Sequence, residues 1–114
     1  TAEQRKQAQD VCESLFTNLA LLQFKYGSTL PEGHPEREKV LGEAVKSATE
    51  ALKINPKNVK ALYRRALAKH GLARDSKKSG EAQILCGEAK SDLLAALEED
   101  AMNRDARAEL KEVQ

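Results

Sequence analysis

Lys60 and Arg64 stand four residues apart in the run K-A-L-Y-R-R-A. On a helix that spacing puts both cations on one face. Like charges so placed repel by about 0.2–0.5 kcal/mol, so an anion outside the helix is what would reward them. The chemistry they suit is anion binding: lysine supplies a compact charge, arginine a planar fork of N–H donors. A plain solvated face shows the same spacing, and that is the competing reading. Arg65 and Lys69, beside the pair, are assigned to solvated surface. Asn18, in T-N-L-A, stands beside an apolar stripe and by its residue type alone is a candidate to bond a neighbouring helix.

The other reactive residue types do not assemble into a site. His34 falls in a Pro/Gly-rich stretch and His70 near a helix end, neither with partners at metal-ligand spacing. Cys12 and Cys86 are too few for a disulfide framework and read as reduced core thiols. Asp10, Glu13 and the run Glu98-Glu99-Asp100 read as solvated charge. Neither a phosphate-cradling glycine loop nor a nucleophile–base constellation is visible. No catalytic role, metal or cofactor is expected. With Lys and Arg exceeding Asp and Glu by one, there is no global field for nucleic acid or membrane. No apolar run approaches the ~20 residues of a membrane span. These features predict a cytoplasmic protein.

The elements that must position Asn18, Lys60 and Arg64 are helices. The 114 residues are rich in Ala, Leu, Glu and Lys and poor in aromatics, which favours helix over strand. The first helical pattern runs from Ala2 to Tyr26, with Val11, Leu15, Leu19 and Leu22 as one stripe and Cys12, Phe16 and Ala20 as another. Gly27 is expected to end it, and Ser28 to Pro35 to form a loop. A second pattern starts at Glu36. Asn55-Pro56 stops it, with Pro56 placed as the first residue of the third helix and Asn55 or, alternatively, Asn58 as its cap. The third helix runs from about Lys57 to Leu72. Polar residues from Ala73 to Gly80 separate it from a fourth, and Arg104 to Gln114 forms a last amphipathic piece.

The second and fourth helices repeat one another. Val40-Leu41-Gly42-Glu43-Ala44 aligns with Leu85-Cys86-Gly87-Glu88-Ala89 at an offset of 45 residues, and Ala20 aligns with Ala66 at a similar offset. Two helices per repeat with small residues at matched places describe an array of antiparallel hairpins. Gly42 and Gly87 each cost about 1 kcal/mol inside a helix. A close approach by the partner helix is the expected reason for them.

The run A-L-K-I-N-P-K-N-V-K-A-L-Y-R-R-A resembles the join between two tetratricopeptide (TPR) repeats of the co-chaperone type, most like the large immunophilins. The small residues of that pattern map onto Ala20, Ala44 and Ala51, then Ala66, Ala89 and Ala96. Pro56 takes the pattern's proline and Ala101 stands in place of the next. The resemblance implies an all-α fold of helical hairpins stacked as a TPR-like superhelix. It divides the chain into a repeat over 1–55, a second over 56–101 and the start of a capping helix over 102–114. Each repeat carries about 11 residues beyond the usual 34, around 28–40 and 75–85, so longer hairpins or an ordered rim loop are expected. The family's first repeat has no counterpart here.

Co-chaperone TPR domains hold the Glu-Glu-Val-Asp tails of heat-shock protein 90 or 70 in a carboxylate clamp. By resemblance, Asn18, Lys60 and Arg64 correspond to three clamp positions, and the family's first-repeat Lys and Asn do not occur. The resemblance thus implies a co-chaperone docking module, with any proline-isomerase activity confined to a separate domain of a parent protein. The alternative is an assembly fragment that packs on another protein through apolar faces. On that reading the stripe on the first helix is left uncovered and the chain self-associates, with hairpins exchanged between copies.

Overall fold

The computed structural model describes residues 1–114 and is entirely helical. Helix α1 spans Ala2–Thr29, α2 Pro35–Ile54, α3 Val59–Asp75, α4 Ser79–Glu99 and α5 Arg104–Val113. Consecutive helices pack on one another, α1 also lies along α3, and α3 touches α5. Cross-helix bonds fix the directions. Gln23 meets Ser47 and Glu13 meets Asn55, so α1 and α2 are antiparallel. Arg65 meets Asp92 and Lys69 meets Glu88, so α3 and α4 are antiparallel too. Two long hairpins therefore stack side by side, and α5 begins the next layer. The arrangement is that of a helical repeat.

The repeat is built from alanines and asparagines. Ala20, Ala44, Ala51, Ala66, Ala89 and Ala96 are all sealed from solvent, because helices can approach closely only where the side chain is small. The largest core cluster joins α2, α3, α4 and α5 through Leu52, Leu62, Leu93 and Ala106 among others. Each hairpin is followed by the same junction. The helix stops at Asn55 or Asp100, and the next is capped by Asn58 or Asn103, whose side-chain oxygens accept from the amides of Ala61 and Ala106 at 2.9 and 3.0 Å. Each such cap stabilises its helix by about 1 kcal/mol.

Several boundaries differ from the sequence reading. Asn58 is the cap of α3, and Pro56 lies in the turn before it rather than inside the helix. Helix α1 runs through Gly27 to Thr29, and α3 continues to Asp75. The extra residues of each repeat thus mostly lengthen the helices and leave only short connections at 30–34 and 76–78. Gly27 does not end a helix. A Cβ there would stand 2.9 Å from Leu41 Cδ2, and one at Gly71 would stand 3.2 Å from Leu41 Cδ1. Leu41, fully buried, is therefore gripped by α1 and α3 through two glycines. Gly42 and Gly87, expected to permit close approach, face open space. Cys12 is exposed rather than a core thiol, Cys86 is half-buried, and both are free. No helix is long and apolar enough to cross a membrane.

Candidate functional site

Parallel packing of α1 and α3 leaves a groove of about 400 Å³ between them, closed at one end by the start of α5. Its apolar wall is Leu21 and Phe24 from α1 with Val59, Tyr63 and Leu67 from α3. Around that wall stand Lys25, Lys60 and Arg64, with Asn103 and Asp105 from α5 at the end. Three cations against one carboxylate leave the groove with a surplus of two positive charges. The size lies in the range of ligand pockets, and an apolar floor with a few placed polar groups is their usual make-up.

Register explains why the cations sit there. Asn58 caps α3 and also donates to Glu13 at 2.7 Å and Thr17 at 3.0 Å, pinning the start of α3 to the middle of α1. Two and six residues onward, Lys60 and Arg64, one turn apart, emerge on the groove side. Arg64 is half-buried, and its Nη1 donates to the Thr17 carbonyl at 2.8 Å. That contact holds the guanidinium against α1 without neutralising it. Burial pushes the Arg64 pKa below its usual value, since a desolvated cation without a counter-charge favours losing its proton. None of Lys25, Lys60 and Arg64 pairs with a carboxylate. Tyr63, between Lys60 and Arg64, has its phenol pushed up by burial and, secondarily, by Asp105 and Glu109.

The structure brings Lys60 and Arg64 together in the groove. Asn18 is exposed on α1 and is not part of its lining. The bond to a neighbouring helix that Asn18 was one candidate for is made by Thr17 instead. Lys25 is a groove residue that the sequence reading missed. Its signal is spacing: four residues after Leu21, it returns to the same helix face. The solvated-surface assignments also need correction. Arg65 makes a bidentate pair with Asp92, donating at 2.8 and 2.7 Å, and donates to Thr49 as well. Lys69 lies largely buried 3.8 Å from Glu88. Glu13, read as solvated charge, accepts from Asn55 and Asn58. His34 caps α2 through Nδ1, and His70 is buried against Glu109 at 2.6 Å.

At the other rim Arg37 pairs with Asp75 and donates to the carbonyls of Gly27 and Leu30, locking the α1–α2 turn to the end of α3. No buried side-chain polar atom lacks a partner. Comparison with models of protein families, with curated proteins and with solved structures finds no match.

Proposed function

We propose that the α1–α3 groove is a docking site for a peptide tail ending in carboxylates, and that the chain is an interaction module of the TPR co-chaperone type. The observation that carries this reading is Arg64, a half-buried guanidinium on the groove wall with no carboxylate partner. Every other arginine drawn into an interior contact, Arg37 and Arg65, has an aspartate. Removing a cation from water is costly unless an anion meets it. A chain terminus followed back by an acidic side chain supplies two carboxylates, matched here by Arg64, Lys60 and Lys25, while the apolar wall takes an aliphatic side chain beside them. The Glu-Glu-Val-Asp tail of heat-shock protein 90 or 70 has this chemistry. Asn18 contributes only if its exposed amide reaches over the rim to the same tail.

The test is a fluorescence-anisotropy titration with a labelled Met-Glu-Glu-Val-Asp peptide and its C-terminally amidated twin. Saturable binding is expected that amidation and Lys60→Glu each weaken at least tenfold, and that rising salt weakens as exposed charges are screened. Equal binding of both peptides, or binding indifferent to Lys60→Glu and Arg64→Glu, rejects the reading.

A further inference from the structure

We infer that the α5 end of the groove selects the residue upstream of the acidic terminus, taking a basic side chain on Asp105 and rejecting an acidic one. The inference deepens the tail-docking reading and rests on it. Its basis is a reversal of charge between two matched helices. Asn58 and Asn103 cap α3 and α5, forty-five residues apart. Two residues past the cap stands Lys60 on α3 and Asp105 on α5, and six past it Arg64 and Glu109. One layer of the repeat carries cations at the places where the next carries carboxylates.

The two carboxylates differ in what holds them. Glu109 meets His70 at 2.6 Å across the α3–α5 contact. Asp105 is exposed, makes no ion pair, and lines the groove with Lys60, Tyr63 and Arg64. Its field reaches the wall: the Tyr63 phenol, pushed up first by burial, is pushed further by Asp105. The helix dipole favours an acid anywhere in the first turn, yet Arg104 comes first and the carboxylate stands at the place that faces the groove. Asn103 differs from its twin as well. The Asn58 amide is engaged by Glu13 and Thr17, whereas Asn103 caps Ala106 through its oxygen and its Nδ2 donates to nothing in the chain. A free amide donor beside Asp105 suits a backbone carbonyl of the same tail.

Charge then fixes the direction of the tail. A chain terminus with two carboxylates close together belongs against Lys25, Lys60 and Arg64 and is worst placed beside Asp105. The tail therefore runs from those cations out over the start of α5. Packed helices stand about 8–10 Å apart, a span that about three residues of extended chain cross. A lysine or arginine that far upstream meets Asp105, and a glutamate there meets a like charge. Repulsion of the wrong partner is a common source of specificity. The groove thus favours tails that are acidic at the end and basic just before it, over tails acidic throughout. In Glu-Glu-Val-Asp the first glutamate stands at that place, and lysine there should tighten binding.

Fluorescence anisotropy tests this with a labelled Ala-Ala-Ala-Ala-Glu-Val-Asp tail and twins in which each alanine in turn becomes lysine or glutamate. Because the groove has a positive surplus, glutamate should bind as tightly as lysine or tighter wherever Asp105 is out of reach. At the place that meets Asp105 the order is expected to reverse, with lysine roughly fivefold tighter than glutamate. Asp105→Asn should bring that pair within about twofold of each other, and Asp105→Glu, which keeps the charge, should keep the reversal. Asp105 is exposed, so the variants keep the fold, which circular dichroism checks. Asn103→Ser keeps a capping oxygen and should weaken all tails alike; an unchanged affinity strikes Asn103 from the site. Lysine favoured at no position, or a reversal that survives Asp105→Asn, overturns the inference and leaves tail docking standing. Tails that do not bind, or that bind equally when C-terminally amidated, overturn tail docking and this inference together.

Discussion

Helix α3 presents two faces built from the same residue types to opposite ends. Toward α4, Arg65 and Lys69 meet Asp92 and Glu88, and the cations are consumed in holding the hairpin. Toward α1, Lys60 and Arg64 meet a carbonyl, an apolar wall and no carboxylate within pairing distance. Arg64 and Arg65 are neighbours in sequence, yet one is architecture and the other is available. Charge alone does not mark a binding face. On the function proposed above, what marks it is a cation drawn out of water without its counter-ion.

The strongest way to break that contrast is to remove the anion on the hairpin side. Asp92→Ala leaves Arg65 partly buried and unpaired, and a broken interior pair costs about 3 kcal/mol. Thermal unfolding followed by circular dichroism should show a Tm drop on the order of 10 °C. Replacing both partners, Arg65→Leu with Asp92→Leu, should recover most of it, because paired burial is itself expensive. A loss under ~0.5 kcal/mol for Asp92→Ala would mean the two faces of α3 do not differ in the way argued.

Next in size are the glycines. Gly42→Ala and Gly87→Ala add a methyl in open space and should each stabilise by about 1 kcal/mol from helix propensity. Gly27→Ala gains the same propensity but drives its Cβ into the sealed Leu41. Overpacking of about 1–3 kcal/mol outweighs the gain, so the sign reverses. Chemical denaturation of the three variants checks it. Smaller still is the effect of Arg64→Leu on stability, expected within about 0.5 kcal/mol of zero, while the same change removes tail binding. Stability and binding thus separate at Arg64, whereas at Arg65 they fall together.

The helices and their repeat were legible because both rest on local signals. Ala20, Ala44, Ala51, Ala66, Ala89 and Ala96 recur at matched places, and all six are buried. The cap at Asn58 was open between two asparagines, and its repeat twin Asn103 would have decided it. What the sequence hid depends on pairs distant along the chain. Nothing near Arg65 announces Asp92, and nothing near Glu13 announces Asn55 and Asn58. Gly27 carried a stop signal that tertiary contact overrode, because a residue without a side chain was needed beside Leu41. Lys60 and Arg64 were found from spacing, but the apolar wall that gives them context required α1 and α3 to be laid side by side.

The finest probe of the groove is Tyr63, which lies between the two cations and is held above its usual pKa by burial first and by Asp105 and Glu109 next. A phenol harder to ionise in the folded chain than in the unfolded one leaves stability intact below the unfolded pKa of about 10. Above that value the unfolded chain sheds its proton first, so stability falls as pH rises toward the folded pKa. Tyr63→Phe should flatten that part of the stability–pH curve, with Tyr26→Phe as the background so that only one phenol reports. In the same background, ultraviolet absorbance of the tyrosinate should rise at higher pH in the folded chain than in denaturant. Asp105→Asn removes one of the two repelling carboxylates and should move the folded titration back partway, leaving the larger share that burial supplies. If Asp105→Asn instead erased the whole shift, charge and not desolvation would govern the groove. The account of Arg64 as a cation withdrawn from water would then fail with it.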